Sequence, residues 1–169
     1  KLVDRISHTK AKLLDTRKTT PHLRVFEKEA VRIGGGKNHR MGLYDMIMLK
    51  DNHIDFAGGV KPAIAKALAY KEEHQLDIPI EVEVRDFKEL QEVLESEGIL
   101  RVMFDNFSVL DTKKAVALVN GKIETESSGG ITGETLVAYA ETGVDYISMG
   151  ALTHSVRGLD MSLKTVLGR

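Results

Sequence analysis

The chain has 169 residues, of which 42% are hydrophobic and 29% charged, and a formal net charge of −1. This length suits one domain with a sizeable core, and the composition is that of a globular protein. The absence of cysteine excludes disulfides, thiolate zinc sites and a cysteine nucleophile. With no signal-peptide pattern and no apolar run near the ~20 residues of a membrane span, we expect a cytoplasmic protein without membrane partners.

Charge is unevenly distributed along the chain. Residues 1–50 contain 12 Lys and Arg against 5 Asp and Glu, whereas the remaining residues contain 12 against 20. A basic segment folded onto an acidic body indicates a local anion site. Aromatic residues make up only 5% of the chain and do not interleave with basic ones, so nucleic acid is not an expected partner.

Short apolar runs alternate with helical patterns along the chain. An amphipathic stretch opens it directly at Lys1, from which we expect a piece of a longer protein. The predicted strands are AKLLD (11–15), DMIMLK (45–50), IPIEVEV (78–84), LRVMFD (100–105), KIETES (122–127) and VDYISMG (144–150). The predicted helices are roughly 23–34, 58–75, 86–98, 109–121 and 132–143. This alternation predicts a parallel sheet with crossover helices.

Six strands are too few for a closed eight-stranded barrel, which takes about 250 residues. The alternatives are an incomplete barrel, a barrel partly encoded elsewhere, and an open doubly wound sheet. In each of them polar ligands bind at the carboxyl ends of the strands.

Chemically reactive residues follow every predicted strand at that end. The segments are DTRKTT (15–20), KDNH (50–53), EVEVR (81–85), FDN (104–106), ESSGG (126–130) and MGALTHS (149–155). Since the ends of parallel strands meet at one edge of a sheet, we expect these segments to form a common site.

Glycine turns follow the last two predicted strands. Gly129 and Gly130 precede a predicted helix, whose positive end would favour an anion, and Gly150 precedes donor side chains at 153–155. Either turn alone is most often an ordinary turn. Together, after the last two strands, they predict a phosphate site.

Carboxylates stand near the tips of the middle strands. Period-two alternation places Glu81 and Glu83 on one face, and Asp105 ends the next strand. A carboxylate that faces the middle of a barrel needs a cation, a metal or a proton. Two readings stay open from the residues alone: Mg²⁺ held by Glu83 and Asp105 with substrate phosphates, or an internal ion pair with Lys50 or Lys18.

The segment GGGKNHRMGLYD (34–45) lacks the GxxxxGK[ST] spacing of a P-loop and does not lie between a strand and a helix. It carries His39 and Arg40. If the strand tips converge, these residues join Arg17 and Lys50 in a cluster of cations that is costly unless an anion balances it. Planar Arg groups bind carboxylates bidentately, so the cluster predicts a polycarboxylate ligand. We interpret His53 and His22 as structural or solvated.

Several segments together resemble the quinolinate phosphoribosyltransferases, also called carboxylating nicotinate-nucleotide pyrophosphorylases. They are LDTRKTTPHLR, AVRIGGGKNHRMGLYDMIMLKDNHI, EVEV, FDN, ESSGGIT and GVDYISMGALTHS. These segments occur in the family's order and span almost the whole chain, and TRKTTP and GGGKNHRxGLYD are highly specific to it. His22 departs from the pattern, because the family usually has glycine after this proline.

The resemblance implies a fold and an assembly. The fold would be an α/β, incomplete (open) barrel of the TIM-like type with about six parallel strands. Residues 1–169 would form the C-terminal barrel domain, without the N-terminal α/β sandwich domain of the family. The family works as a homodimer or a larger homo-oligomer, in which one subunit's N-terminal domain covers the partner's barrel and contributes an arginine that contacts quinolinate.

The resemblance also implies a reaction. The enzyme would be a pentosyltransferase that joins quinolinate to 5-phosphoribosyl-1-pyrophosphate and releases nicotinate mononucleotide, pyrophosphate and CO₂ for NAD biosynthesis, with Mg²⁺ on the pyrophosphate. One alternative is a related phosphoribosyltransferase that acts on a different acid. Another is a non-catalytic barrel that senses a phosphate ligand.

Residue roles are carried over from the family by motif. The quinolinate carboxylates would be held by Arg17, His39, Arg40 and Lys50. Thr16 and Lys18 would contact substrate, with Lys18 directed at the phosphoribosyl donor. The ribose hydroxyls and Mg²⁺-pyrophosphate would be anchored by Glu83 and Asp105, which with Lys18 form the catalytic set. The 5-phosphate would be bound through backbone amides of Ser128, Gly129, Gly130, Met149, Gly150 and Ala151.

Overall fold

A computed structural model describes residues 1–154 and 160–165, so residue 155 of the predicted donor segment lies outside the described residues. The strands are β1 (Lys12–Leu14), β2 (Ile47–Leu49), β3 (Ile80–Val84), β4 (Arg101–Asp105), β5 (Glu124–Ser128) and β6 (Tyr146–Ser148). The helices are α1 (Leu2–Arg5), α2 (Arg24–Ile33), α3 (Asp51–Ala57), α4 (Val60–Glu73), α5 (Phe87–Leu94), α6 (Val109–Val119), α7 (Leu136–Ala140) and α8 (Ala151–His154). Across the described ranges, no helix combines the length and apolarity that a membrane crossing requires.

The six strands form one parallel sheet in the order β1-β6-β5-β4-β3-β2. Its edges are β1 and β2, which do not pair with each other, and the connecting helices cover one face. This arrangement confirms the predicted α/β fold with six parallel strands and is consistent with an open TIM-like barrel.

An irregular segment, residues 37–46, fills the gap between the two edge strands. At its start Lys37 forms an isolated parallel bridge with Leu14 of β1. Further along, Arg40 Nη1 donates to the Met46 carbonyl oxygen at 3.1 Å, directly before β2. We call residues 37–46 the closing segment, because it bridges the two edges that a complete barrel would join by strand pairing.

Side chains alternate between the two faces of the sheet, as period two requires. One set is apolar and packs with the helices in the hydrophobic core, as Val82, Val102 and Phe104 do with no exposed surface. The alternate set, on the interior face, carries charge; it includes Glu81, Glu83, Arg101 and Glu126. An apolar outer layer therefore holds a sheet whose inner face is polar.

Helix boundaries follow from capping, with two departures from expectation. Asp86 accepts the Glu89 N–H at 2.8 Å and starts α5, and Ser108 accepts the Asp111 N–H at 3.1 Å and starts α6. Helices α1, α3 and α8 were not predicted. The helix predicted at 132–143 is only α7, because Thr132 and Thr135 form a hydrogen-bonded turn before it. The predicted helix start at residue 132 is therefore four residues too early.

Candidate active site

The carboxyl ends of all six strands lie at one edge, and a pocket of about 200 Å³ opens there. Its lining is polar and basic with two methionines: Thr16, Arg17, Lys18, His39, Arg40, Met48, Lys50, Met103, Ser128 and Ser148. Seven of these ten were predicted as substrate-binding residues, so the structure brings the amino-terminal cations to the tip of β5. A larger apolar cleft of about 440 Å³ lies between α1, α2 and α8. Among the described residues, Glu27 is the only charged one that lines this cleft, so the cleft does not suit ionic substrates.

Three cations of the pocket form no ion pair with a described residue. Within the described residues, Arg17, Lys18 and Arg40 have no carboxylate at salt-bridge distance, whereas Lys50 Nζ pairs with Glu83 Oε2. Burial lowers the pKa of Arg40, and the positive charge of Arg17 lowers it further, so the two guanidinium groups lie near each other. Unbalanced cations that line a small pocket are what a polyanionic ligand requires.

Glu83 and Asp105, the two carboxylates predicted to act in catalysis, differ in their partners. Glu83 forms the ion pair with Lys50 that was one of the two open readings. In the described part of the chain, the Asp105 side chain makes no hydrogen bond or ion pair, so its oxygens stay available as ligands. Oxygen donors from one or two carboxylates suit Mg²⁺, which takes its other ligands from water and phosphate. The pair fits the ion chemically, with Lys50 as a competitor for Glu83.

Backbone N–H groups around the two glycine turns are unpaired. In the described chain, no acceptor is found for the N–H groups of Gly129, Gly130, Gly150 and Ala151. The Met149 N–H is different, because it donates to the Leu14 carbonyl oxygen at 3.0 Å. The Met149 amide is therefore already paired in this conformation, whereas the other four amides are available as donors to a phosphate.

The turn that carries Arg17 and Lys18 is held by Arg24, which sequence reasoning missed, and by Thr153, which it grouped with the donors of the phosphate site. Arg24 Nη2 donates to the Arg17 carbonyl oxygen at 3.1 Å, and Thr153 Oγ1 donates to that of Lys18 at 2.7 Å. Within the turn, the Lys18 N–H donates to Thr16 Oγ1 at 3.1 Å. Arg24 belongs to α2, which follows the turn closely in the sequence. Thr153 belongs to α8, which lies 135 residues after Lys18.

His39 lines the pocket, but both of its ring nitrogens face protein groups. Nδ1 accepts the Arg40 N–H at 2.7 Å, which leaves the ring proton on Nε2. Nε2 lies 3.0 Å from Glu81 Oε2 and 3.4 Å from Glu126 Oε2. A hydrogen bond from His39 to a substrate carboxylate, as predicted, would need the ring to turn from this position.

Behind His39 lies a buried acidic cluster, in which Arg101 Nη1 binds Glu126 Oε2 at 2.9 Å. Burial and the charge of Glu126 raise the pKa of Glu81 to about 7. Burial lowers the pKa of His39, but contacts with Glu126 and Glu81 outweigh it and raise this pKa. A second ring proton would sit on Nδ1, which the Arg40 N–H occupies, so we assign proton uptake near neutral pH to Glu81.

The same cluster is close enough to hold a metal ion, since one ligand atom each of His39, Glu81 and Glu126 lies within 4.8 Å of the others. Coordination through Nε2 would require the ring proton to move to Nδ1, where it would oppose the Arg40 N–H. Arg101 already supplies positive charge to Glu126. The cluster therefore fits protons better than a metal ion.

Comparison with known proteins identifies relatives that match most of the chain. The family description "Quinolinate phosphoribosyl transferase, C-terminal domain" matches residues 1–164. The chain is 51% identical over 168 residues to quinolinate phosphoribosyltransferase [decarboxylating] 2, mitochondrial, of Nicotiana glauca, a match that covers 91% of this chain and 48% of the relative. It is 48% identical over 156 residues to the probable nicotinate-nucleotide pyrophosphorylase [carboxylating] of Bacillus subtilis, covering 92% and 53%.

Solved structures show the same fold. The crystal structure of NadC from Streptococcus pyogenes matches with a TM-score of 0.89 and 43% identity, over 97% of this chain and 56% of that one. The nicotinate-nucleotide pyrophosphorylase of Francisella tularensis matches with a TM-score of 0.86 and 46% identity, over 92% and 54%. The chain spans about half the length of the curated relatives and solved structures that it matches.

Proposed function

This chain belongs to the quinolinate phosphoribosyltransferase family, and we propose that it carries the site where quinolinate is joined to 5-phosphoribosyl-1-pyrophosphate. The products would be nicotinate mononucleotide, pyrophosphate and CO₂, and the activity would belong to the full-length protein. The observation that supports this proposal most strongly is the pocket at the strand tips. Its lining combines cations that form no ion pair within the described residues with the hydroxyl groups of Ser128 and Ser148. The unpaired amides and the Asp105 carboxylate follow neighbouring strands at the same edge of the sheet.

Quinolinate accounts for the basic side of the pocket. Its two carboxylates would be bound by the guanidinium groups of Arg17 and Arg40, which repel each other when no anion lies between them. Lys50 would be shared between Glu83 and the substrate. Binding in this way relieves the charge repulsion and fixes the pyridine nitrogen towards the ribose.

The phosphoribosyl donor accounts for the glycine turns and for the carboxylates at the strand tips. Its 5-phosphate would accept hydrogen bonds from the amides of Gly129, Gly130, Gly150 and Ala151, beside the Ser128 hydroxyl. Glu83 and Asp105 would bind the ribose hydroxyls, and their negative charge would stabilise the cationic character that develops at C1 as pyrophosphate leaves. Lys18, exposed at the pocket, would offset charge on the departing pyrophosphate.

Bond changes in this reaction are balanced without a redox partner. The pyridine nitrogen forms a bond to C1 while the C1–oxygen bond to pyrophosphate breaks. The C2–carboxylate bond of the ring then breaks, CO₂ leaves, and the electron pair that stays on C2 takes up a proton. Magnesium bound by Glu83 and Asp105 would supply charge neutralisation on the pyrophosphate.

A homodimer or larger homo-oligomer is part of the same proposal. Three large apolar side chains of α2 are strongly exposed: Val25 at 66%, Phe26 at 72% and Ile33 at 74%. Contiguous exposed apolar residues on one helix support a covering domain or subunit. The cytoplasmic location and the requirement for Mg²⁺ stay predictions.

Pyrophosphate release by the full-length protein tests the function. We expect release that requires both quinolinate and 5-phosphoribosyl-1-pyrophosphate, with an equimolar amount of CO₂ from the 2-carboxylate. Equal release with nicotinate would favour a transferase for a different acid, and binding without release would favour a sensing barrel. The Lys18→Ala variant, which should fold normally and lose most turnover, distinguishes this activity from a contaminant.

A further inference from the structure

Helix α2 is held to the barrel by an unusual buried group. Lys28 is the only buried residue of this helix, with 1% of its side chain exposed, and its Nζ pairs with Asp15, whose carboxylate is fully buried directly after β1. Neither residue lines the pocket. Sequence reasoning placed Asp15 only at the start of the segment after β1 and did not identify Lys28. Burying two charges costs several kcal/mol per ion, and an apolar pair of similar volume often gives equal stability. The pair therefore needs a reason other than stability.

Its hydrogen bonds converge on the closing segment. Asp15 accepts the His39 N–H at 2.9 Å and the Asn38 side-chain amide at 2.5 Å. Lys28 Nζ donates to the His39 carbonyl oxygen at 3.0 Å. Asn38 also donates to the Lys28 carbonyl oxygen at 2.7 Å. The ion pair thus binds both the N–H and the C=O of His39, one residue before Arg40.

We propose that Asp15 and Lys28 are positioning residues that fix the His39–Arg40 backbone, and so the Arg40 guanidinium, against the quinolinate carboxylates. The identity of that substrate rests on the proposed function, whereas the positioning rests on the hydrogen bonds alone. Backbone placement matters here because a misplacement of about 1 Å at a binding group can cost ~100-fold in rate.

The effect should be confined to one substrate. The turn with Arg17 and Lys18 has its own supports, since Arg24 binds the Arg17 carbonyl oxygen and Thr153 binds that of Lys18. The glycine turns after β5 and β6 make no contact with Lys28 among the described residues. Losing the ion pair therefore displaces the acid-binding side of the pocket and leaves the donor-binding side in place.

The test uses the full-length protein with the double variant Asp15→Asn/Lys28→Met, which removes both charges and keeps their approximate volumes. We expect the KM for quinolinate to rise about tenfold or more while the KM for the phosphoribosyl donor changes less than about twofold. The matched control is Lys61→Met/Glu95→Gln, which removes an exposed ion pair between α4 and the end of α5 and should change neither constant. Equal rises in both KM values, or no rise, would overturn the proposal.

Amide hydrogen exchange gives a readout that does not depend on the enzyme's activity. In the double variant we expect the His39 N–H to exchange at least about tenfold faster, while strand amides such as that of Val102 keep their protection. Unchanged protection at His39 would refute the positioning role even if the protein proved to have another substrate. If the double variant does not fold, Asn38→Ala removes one exposed support, and its His39 N–H should still exchange faster than in the wild type.

Discussion

At the scale of single residues, the chemistry of the pocket is set by charges that the protein leaves unpaired. Arg17 and Arg40 lie near each other without a carboxylate at salt-bridge distance in the described ranges. Lys28, by comparison, is buried and fully compensated by Asp15. Lys28 therefore stabilises the protein's own backbone, whereas Arg17 and Arg40 are available to bind a ligand.

Replacing Arg40 should affect one substrate selectively. In Arg40→Ala we expect the KM for quinolinate to rise about 10- to 100-fold, because a charge-assisted bidentate contact is lost, while the donor's KM changes little. Steady-state kinetics with each substrate varied in turn measures both constants. Arg32→Ala, which removes an exposed arginine paired with Glu29, should behave like the wild type. Comparable rises for both substrates would contradict the role given to Arg40.

His22 adopts a backbone conformation that favours glycine. Its φ is +64°, in the left-handed region, where an L-residue costs about 1–2 kcal/mol. This is the position where the family usually has glycine, so the departure carries a conformational cost. The amino-acid sequence alone could not reveal the sign of φ at His22.

His22→Gly should therefore stabilise the protein by about 0.5–1 kcal/mol, the strain relieved less the extra entropy of glycine in the unfolded chain. Chemical denaturation of the two proteins measures the difference. His74→Gly is a suitable control, because His74 has φ −98° and should lose stability on the same substitution. A destabilised His22→Gly variant would show that the imidazole makes a contribution larger than the strain.

At the scale of secondary-structure elements, the tips of β4 and β5 depend on one close approach. Gly129 has φ +98°, and a Cβ placed there would lie 2.2 Å from Asn106 Oδ1 and 2.9 Å from the Asn106 nitrogen. Asn106 itself has φ +54° and follows Asp105 directly. The donor-binding turn and the acidic strand tip therefore fit together only without a side chain at residue 129.

Gly129→Ala should raise the KM for the phosphoribosyl donor about tenfold or more, because the turn must shift away from Asn106 and its amides lose their alignment. The quinolinate KM should change much less. Gly121→Ala is the matched control: it has φ +72° but open space around its Cβ and lies at the opposite end of β5, so it should reduce stability alone. A donor KM unchanged in Gly129→Ala would argue against phosphate binding at this turn.

Strands were easier to predict than helix starts. Each predicted strand contains most of the observed one. The face that packs against the helices is apolar in the other strands, whereas in β5 it carries Thr125 and Ser127. Helix α3 was missed because DNHIDFA contains several weak helix formers; its structure is supported by a contact between the Lys50 N–H and His53 Nδ1 at 3.0 Å and by Gly58 at φ +90°. The turn formed by Thr132 and Thr135 before α7 was also missed, because hydrophobic periodicity does not predict such a turn.

At the scale of the whole molecule, the barrel interior contains a carboxyl group, that of Glu81, whose charge depends on pH. Glu81, faced by His39, Glu126 and Arg101, has a pKa raised from 4.5 to about 7 by burial and by the charge of Glu126. A carboxyl group whose pKa is higher in the folded than in the unfolded state stabilises the folded state. This contribution is fully present below pH 4.5, the pKa of the unfolded state. That stability is lost as the pH rises to about 7.

Glu81→Gln should remove this dependence, since glutamine imitates the protonated form. Between pH 5 and pH 8 we expect the wild type to lose about 1–3 kcal/mol of unfolding free energy relative to the variant. Urea denaturation in metal-free buffer across this range measures the difference. Parallel pH profiles for the two proteins would show that Glu81 titrates normally.

The site itself was predictable where its residues follow strands and unpredictable where they meet across the barrel. Arg17, Lys18 and Lys50 could be grouped because they follow parallel strands that share an edge. The contacts of His39 with Glu81 and Glu126 join residues 42 or more positions apart, and no local pattern encodes them. The same holds for the Asp15–Lys28 pair, whose members look like an ordinary strand end and an ordinary helical lysine.

The most direct test of the account is a crystal structure of the full-length protein with quinolinate and an unreactive analogue of the phosphoribosyl donor. We predict that both occupy the pocket at the strand tips, with the quinolinate carboxylates on Arg17 and Arg40 and the 5-phosphate on the amides of Gly129 and Gly150. Quinolinate bound on another surface, or a donor phosphate away from both glycine turns, would contradict it.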